Sequence, residues 1–210
     1  MIFVGGCNLK CPFCHNPGLV LEPDQYPDFP LDELLAELSR RRNFIDGLVV
    51  SGGEPTLGAG LPDFLREVKR LGLQIKVDSN GLLPQVLQQL FDLELIDFLA
   101  IDLKTAPERY GELHDRAVDV SALLESCRLT MERAPEYEFR TTCVPDLVGV
   151  TEIHRIGETI LGAKRWVLQQ YVPREQLLGK APQQAYPTTK FESLQRIAAG
   201  FVESVEGRGW

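Results

Sequence analysis

No stretch of the 210 residues approaches the roughly 18 to 20 consecutive apolar positions that a membrane-spanning helix needs. The opening Met-Ile-Phe-Val-Gly-Gly has neither the basic region nor the long apolar run of a secretory signal, so the protein is expected in the cytoplasm. Positive charge is also short. The 22 Lys and Arg stand against 30 Asp and Glu, a net charge of -8, and the one compact basic run, at 40–42, reads as a solvated helix end. An acidic surface repels nucleic acid and anionic lipid, so neither is expected as a partner. Cysteine is scarce, odd in number and unevenly placed, with three of the five inside eight residues. In a reducing compartment that crowding reads as metal ligation and not as a disulfide framework. There is no internal repeat and no low-complexity tract. With 44% hydrophobic and 25% charged residues, the chain can bury a core as one domain over 1–210.

What is present is an alternation of short β-branched runs with longer amphipathic ones, the pattern of an α/β fold around a parallel sheet. Strands are predicted over 2–5, 48–51, 73–77, 98–103, 138–144 and 166–171, and helices over 31–42, 61–71, 84–91, 120–133, 151–161 and 189–205. Leu31, Leu34, Leu35 and Leu38 fall at helical spacing, as do Leu123, Leu124, Cys127 and Met131. In the fourth strand, Leu99, Ile101 and Leu103 share one face and Ala100, Asp102 and Lys104 the other, so the second face is expected to line a site. Nearly every chemically suggestive residue lies at a strand's carboxyl end, where barrels and open α/β sheets build their sites. The Pro-rich stretches 22–30 and 173–187 read as surface loops, with a lid or docking surface as the sharper reading.

Cys7, Cys11 and Cys14 form CxxxCxxC just after Gly5 and Gly6, which let the chain turn tightly. Thiolates suit zinc and iron–sulfur clusters alike. Zinc needs a fourth ligand, and His15, next to Cys14, is badly placed to supply it. A cubane held by three ligands keeps one iron open for a substrate. Cys127 and Cys143, isolated on a helix and a strand, are expected to pack in the core.

At this point the sequence resembles the radical S-adenosylmethionine superfamily, in which CxxxCxxC, with an aromatic at the place of Phe13, follows the first strand of a partial (β/α)6 TIM-like barrel. The resemblance implies one 4Fe-4S cluster on Cys7, Cys11 and Cys14, whose open iron chelates S-adenosylmethionine. Ser51-Gly52-Gly53-Glu54-Pro55 follows the second strand. Its glycines let backbone approach a ligand, and its carboxylate can receive an ammonium group; it is similar to the GGEP motif that binds the cofactor's amino group. Asp102-Leu103-Lys104 resembles an element that contacts the ribose and carboxylate. Asp78-Ser79-Asn80-Gly81 resembles one that approaches the cofactor or a nearby monovalent cation. Arg140, inward on the fifth strand, can neutralise a carboxylate or guide a peptide backbone.

Cys14-His15-Asn16-Pro17 narrows the resemblance to activating enzymes of glycyl-radical proteins. Leu168-Gln169-Gln170-Tyr171 points to the activase of anaerobic ribonucleoside-triphosphate reductase. Such enzymes use an electron from a flavodoxin-like or ferredoxin-like donor to cleave S-adenosylmethionine, then take hydrogen from a glycine α-carbon of the partner. The chain has no inserted cysteine-rich ferredoxin segment, so one cluster is expected. It departs from the family in having Met1 almost on the first strand. Two alternatives stand: a radical enzyme acting on a small molecule, of the carboxydeazaguanine synthase type, and a non-enzymatic zinc-binding module.

Overall fold

The computed structural model describes residues 1–209. Seven parallel strands pair strictly in chain order: β1 (Ile2–Val4), β2 (Gly47–Gly52), β3 (Gln74–Ser79), β4 (Phe98–Asp102), β5 (Glu136–Cys143), β6 (Trp166–Gln170) and β7 (Val205–Arg208). Parallel neighbours require crossovers, and these carry α1 (Pro17–Leu21), α2 (Leu31–Arg41), α3 (Leu61–Arg70), α4 (Pro84–Asp92), α5 (Val120–Arg133), α6 (Val150–Thr159) and α7 (Thr188–Ala198). Because the order never reverses, the sheet has no switch point and curls with its helices outside. Among the described residues β7 does not pair with β1, so the result is a partial, TIM-like barrel open on one side.

The six expected strand–helix units are all there, and β7 is added to them. The four residues Val-Glu-Gly-Arg are too short and too polar to read as a strand, yet Val205 finds a place opposite Trp166 in the ladder. The helix expected over 189–205 accordingly stops at Ala198, where Gly200 and a turn redirect the chain. Helical periodicity yields here to pairing at the sheet edge.

Local chemistry explains the elements. In α2, Asp32 and Glu33 sit in the first turn and Arg40 and Arg41 in the last, each complementing the nearby end of the helix dipole. Asp119 caps α5 by accepting from Ser121 N at 3.0 Å. Period-two alternation sends Ile75, Val77, Leu99 and Ile101 into a fully buried layer under the helices. Each large apolar side chain so removed from water contributes about 1.5–3 kcal/mol. Trp166 is also wholly buried, and its indole N–H is satisfied by Thr141 Oγ1 at 3.0 Å. Cys127 and Cys143 lie within this core. The opposite faces of β3, β4 and β5 point into the barrel lumen and carry Lys76, Asp78, Asp102, Glu138 and Arg140.

Candidate active site

The cluster loop is fastened to its neighbours by backbone hydrogen bonds. Gly6 N donates to Leu19 O (2.7 Å), Lys10 N to Leu113 O (2.8 Å), and Cys14 N closes a turn on Cys11 O (3.0 Å). Gly53 N donates to Val4 O and Glu54 N to Gly6 O, both at 2.8 Å, so the glycine motif is zipped directly to the start of that loop. This gives the two glycines a reason the sequence reading did not supply. A Cβ on Gly53 would lie 1.9 Å from Gly6 O, and one on Gly52, whose φ is +123°, would lie 2.3 Å from Val4 N. Backbone packs against backbone here, which only glycine permits.

Above this junction is a cavity of about 210 Å³. Its wall contains Cys7, Cys11 and Cys14 from one loop, with Phe13 and His15 of the same loop. Gly52, Gly53 and Glu54 border it from the end of β2, Asp78 and Ser79 from β3, and Asp102 and Lys104 from β4. Arg140 does not border the cavity: it bridges two of the carboxylates that do, and that engagement holds it away from a ligand.

Each group has a distinct electrostatic setting. Burial pushes the Cys11 thiol up to about 12 and raises Cys7 as well, so a bound soft metal has to drive their deprotonation. Leu9 N donates to Cys7 Sγ at 3.4 Å, a contact that stabilises a thiolate. Glu54 is 1% exposed, and burial raises its carboxyl. Its oxygens accept from Thr56 N (3.1 Å), Thr56 Oγ1 (2.6 Å), Ser79 Oγ (2.9 Å) and Asn80 N (2.7 Å). Glu54 therefore clamps the ends of β2 and β3 together, with three of these bonds on Oε1 and one on Oε2. Asn80 of the Asp-Ser-Asn-Gly element donates from Nδ2 to Asn8 Oδ1 at 2.6 Å and so ties the end of β3 to the cluster loop.

Asp102 is the electrostatic centre of the floor. Burial acts to raise its carboxyl, but the Arg140 guanidinium and the Lys104 ammonium outweigh burial and hold it well below the usual carboxylate range. Arg140 Nε lies 2.7 Å from Asp102 Oδ1 and its Nη1 3.1 Å from Asp78 Oδ2, while Lys104 Nζ is 2.9 Å from Asp102 Oδ2. The pattern continues down the lumen. Lys76 Nζ is 3.9 Å from Asp78 and 2.9 Å from the buried Glu138, which also pairs with Arg208 of β7 at 2.9 Å. Seven charges thus alternate in sign along the inside of the barrel. Lys76, Glu138 and Arg208 were not anticipated, although the period-two pattern of β3 and β5 puts the first two on the lumen face.

The 173–187 loop lies against the cluster loop. Gly179 N donates to Pro12 O at 3.0 Å, and Gln170 Nε2 holds Tyr186 O at 2.7 Å. His15 Nε2 is 3.1 Å from Val172 O, which requires the proton on that nitrogen. Burial, more than the nearby Arg174, lowers the His15 pKa.

Among the described residues no three His, Cys, Asp or Glu side chains come close enough to hold a single metal ion. Three soft donors spread around one cavity wall suit a group wider than one ion. Asp78 lines the cavity, and its buried Oδ1, 3.9 Å from Lys76 Nζ, has no hydrogen-bond partner and so keeps acceptor capacity. A cluster and a zwitterionic, hydroxyl-bearing cofactor therefore fit. A separate monovalent cation does not, because the carboxylates that would receive it already hold Arg140.

The chain belongs to the radical S-adenosylmethionine superfamily, whose profile matches residues 1–151. It is 30% identical to a protein of Methanocaldococcus jannaschii provisionally named a glycyl-radical enzyme activating enzyme, over 98% of this chain and 86% of that one. A Saccharolobus solfataricus protein provisionally named a GTP 3',8-cyclase is also 30% identical, over 71% of this chain and 53% of its own length. Among solved structures, Streptococcus suis SuiB bound to S-adenosylmethionine superposes with a TM-score of 0.77 at 16% identity, covering 98% of this chain and 49% of SuiB. The chain thus spans about half the length of the last two. The superposition on SuiB shows likeness of fold alone. No helix among the described residues is long and apolar enough to cross a membrane.

Proposed function

We propose that this protein is a cytoplasmic activase that cleaves S-adenosylmethionine reductively and takes hydrogen from a glycine of a separate glycyl-radical enzyme, with anaerobic ribonucleotide reductase as the candidate. One observation carries the reading. A single cavity joins three thiols of one loop to the glycine turn and the Asp102–Lys104 pair, in a chain related nearly end to end to a protein named as such an activase. When bound, the 4Fe-4S cluster and S-adenosylmethionine supply the electron transfer, carbon–sulfur cleavage and hydrogen abstraction. The chain's part is to hold and orient. Cys7, Cys11 and Cys14 would hold the cluster, and the buried Leu9 and Phe13 on the same cavity wall would help to keep water from it. Asp78 Oδ1 offers an acceptor, and Lys104, anchored through its own N–H to the buried Tyr110 hydroxyl at 3.0 Å, offers a fixed cation. A flavodoxin-like or ferredoxin-like protein would supply the electron.

Lys104→Ala is expected to weaken S-adenosylmethionine binding while leaving iron content intact. Asp102 keeps Arg140, so the loss is that of one charged hydrogen bond, about 1.5–3 kcal/mol or about tenfold and more in affinity. Calorimetry on the cluster-loaded variant showing wild-type affinity would reject a ligand contact for this lysine.

The function itself is tested by incubating the reduced, reconstituted protein with S-adenosylmethionine and an anaerobic ribonucleotide reductase. A glycyl doublet should appear by electron paramagnetic resonance, and glycine deuterated at the α-carbon should pass its label to 5'-deoxyadenosine. The relationship to a protein named as a GTP cyclase favours one competing outcome. If a purine nucleotide donates the label and glycine never does, the enzyme acts on a small molecule and the activase reading is wrong.

A further inference from the structure

Asp78 and Asp102 stand on adjacent strands with both carboxylates on the cavity floor, an arrangement of hard oxygen donors that suits a metal cation. An arginine occupies the space between them. Arg140 faces Asp102 across the β4–β5 ladder, and its guanidinium reaches past β4 to Asp78, with contacts of 2.7 and 3.1 Å. We propose that Arg140 is a built-in cation that takes the place of a monovalent metal ion at the S-adenosylmethionine site, so that cofactor binding needs neither sodium nor potassium. The inference deepens the proposed function and rests on its reading of this cavity.

Three observations support it. First, neither carboxylate has unbalanced charge: Asp102 also holds Lys104 at 2.9 Å, and Asp78 has Lys76 at 3.9 Å. A metal ion on either oxygen pair would press against the guanidinium already in contact, and like charges at that range repel strongly. Second, the hydroxyl nearest in sequence is already committed, since Ser79 Oγ donates to Glu54 at 2.9 Å and accepts from Gly81 N at 3.1 Å. Of the oxygens on the two carboxylates, Asp78 Oδ1 alone lacks a hydrogen bond, and a single acceptor is too few for an ion that gathers several oxygen ligands. Third, a guanidinium stays protonated at any working pH and its planar fork can bridge two carboxylates, so it supplies permanently what an exchangeable ion supplies only at sufficient concentration. Arg140 is thereby a positioning residue: it fixes Asp102, which fixes Lys104.

The test is calorimetric titration of cluster-loaded protein with S-adenosylmethionine in sodium, potassium or tetramethylammonium chloride at equal ionic strength, the last cation being too bulky for a carboxylate pair. Wild type should show the same affinity in all three. A drop of about tenfold or more in tetramethylammonium, the size expected when a buried charge loses its partner, would overturn the inference while leaving the cavity reading intact. No binding in any salt would overturn both. Arg140→Ala should lose affinity in tetramethylammonium and recover it in potassium or sodium, a rescue that a merely structural arginine would not produce, and Arg140→Lys should remain salt-independent. Wild-type affinity for Arg140→Ala in tetramethylammonium would also overturn the proposal. Should the alanine variant fail to fold, the wild-type comparison still decides.

Discussion

Replacing any one of Cys7, Cys11 or Cys14 by alanine is expected to abolish the brown chromophore of the anaerobically reconstituted protein, which in the wild type should carry about four irons per chain. No other thiol can substitute. Cys127 is 1% exposed on α5 and Cys143 is fully buried at the end of β5, both inside the apolar core and neither on the cavity. Burial pushes both up to about 12, so they behave as small apolar side chains. Cys127→Ala and Cys143→Ala should therefore keep full iron and lose only the modest stability of a small core truncation, about 1 kcal/mol. Iron and acid-labile sulfide assays on the five variants separate the sets. Stoichiometric zinc in the wild type, or loss of iron on changing Cys143, would sink the assignment.

The cavity was legible where a strand's alternation or a tight motif fixed direction. The period of two in 98–103 was enough to send Asp102 and Lys104 inward and Leu99 and Ile101 outward, because a sheet face leaves a side chain only two choices. The same rule places Arg140 in the lumen, but it says nothing about the neighbouring strand, so the bridge to Asp78 could not be read. The lower charges were harder still. Glu138 is buried only because Lys76 and Arg208 reach it, and Arg208 belongs to a strand whose pairing outweighs its weak local preference. Glu54 shows the limit of motif reading in another way. Its position marks the site, yet its four donors come from 56, 79 and 80, and only the folded chain brings the last two to it.

Gly53→Ala is expected to disrupt the cluster loop, with loss of iron binding and a fall in stability at or above the roughly 1–3 kcal/mol of ordinary overpacking. The added methyl would meet Gly6 O at 1.9 Å and Gly6 C at 2.6 Å. These are backbone atoms and cannot turn aside as the end of a side chain could. Relief requires the end of β2 and the start of the cluster loop to separate, breaking the bonds from Gly53 N to Val4 O and from Glu54 N to Gly6 O, each contributing about 1 kcal/mol. Cys7 follows Gly6 directly, so the first thiol moves with it, and Glu54 loses its grip on the end of β3. Gly111→Ala is the control. Nothing lies within 4 Å of a Cβ there and its φ is not positive, so that change should be neutral or slightly stabilising. Iron content and the denaturant midpoint of each variant measure the difference. If Gly53→Ala reconstitutes a full cluster and binds S-adenosylmethionine normally, the contact between the glycine turn and the cluster loop is not the constraint that positions Cys7.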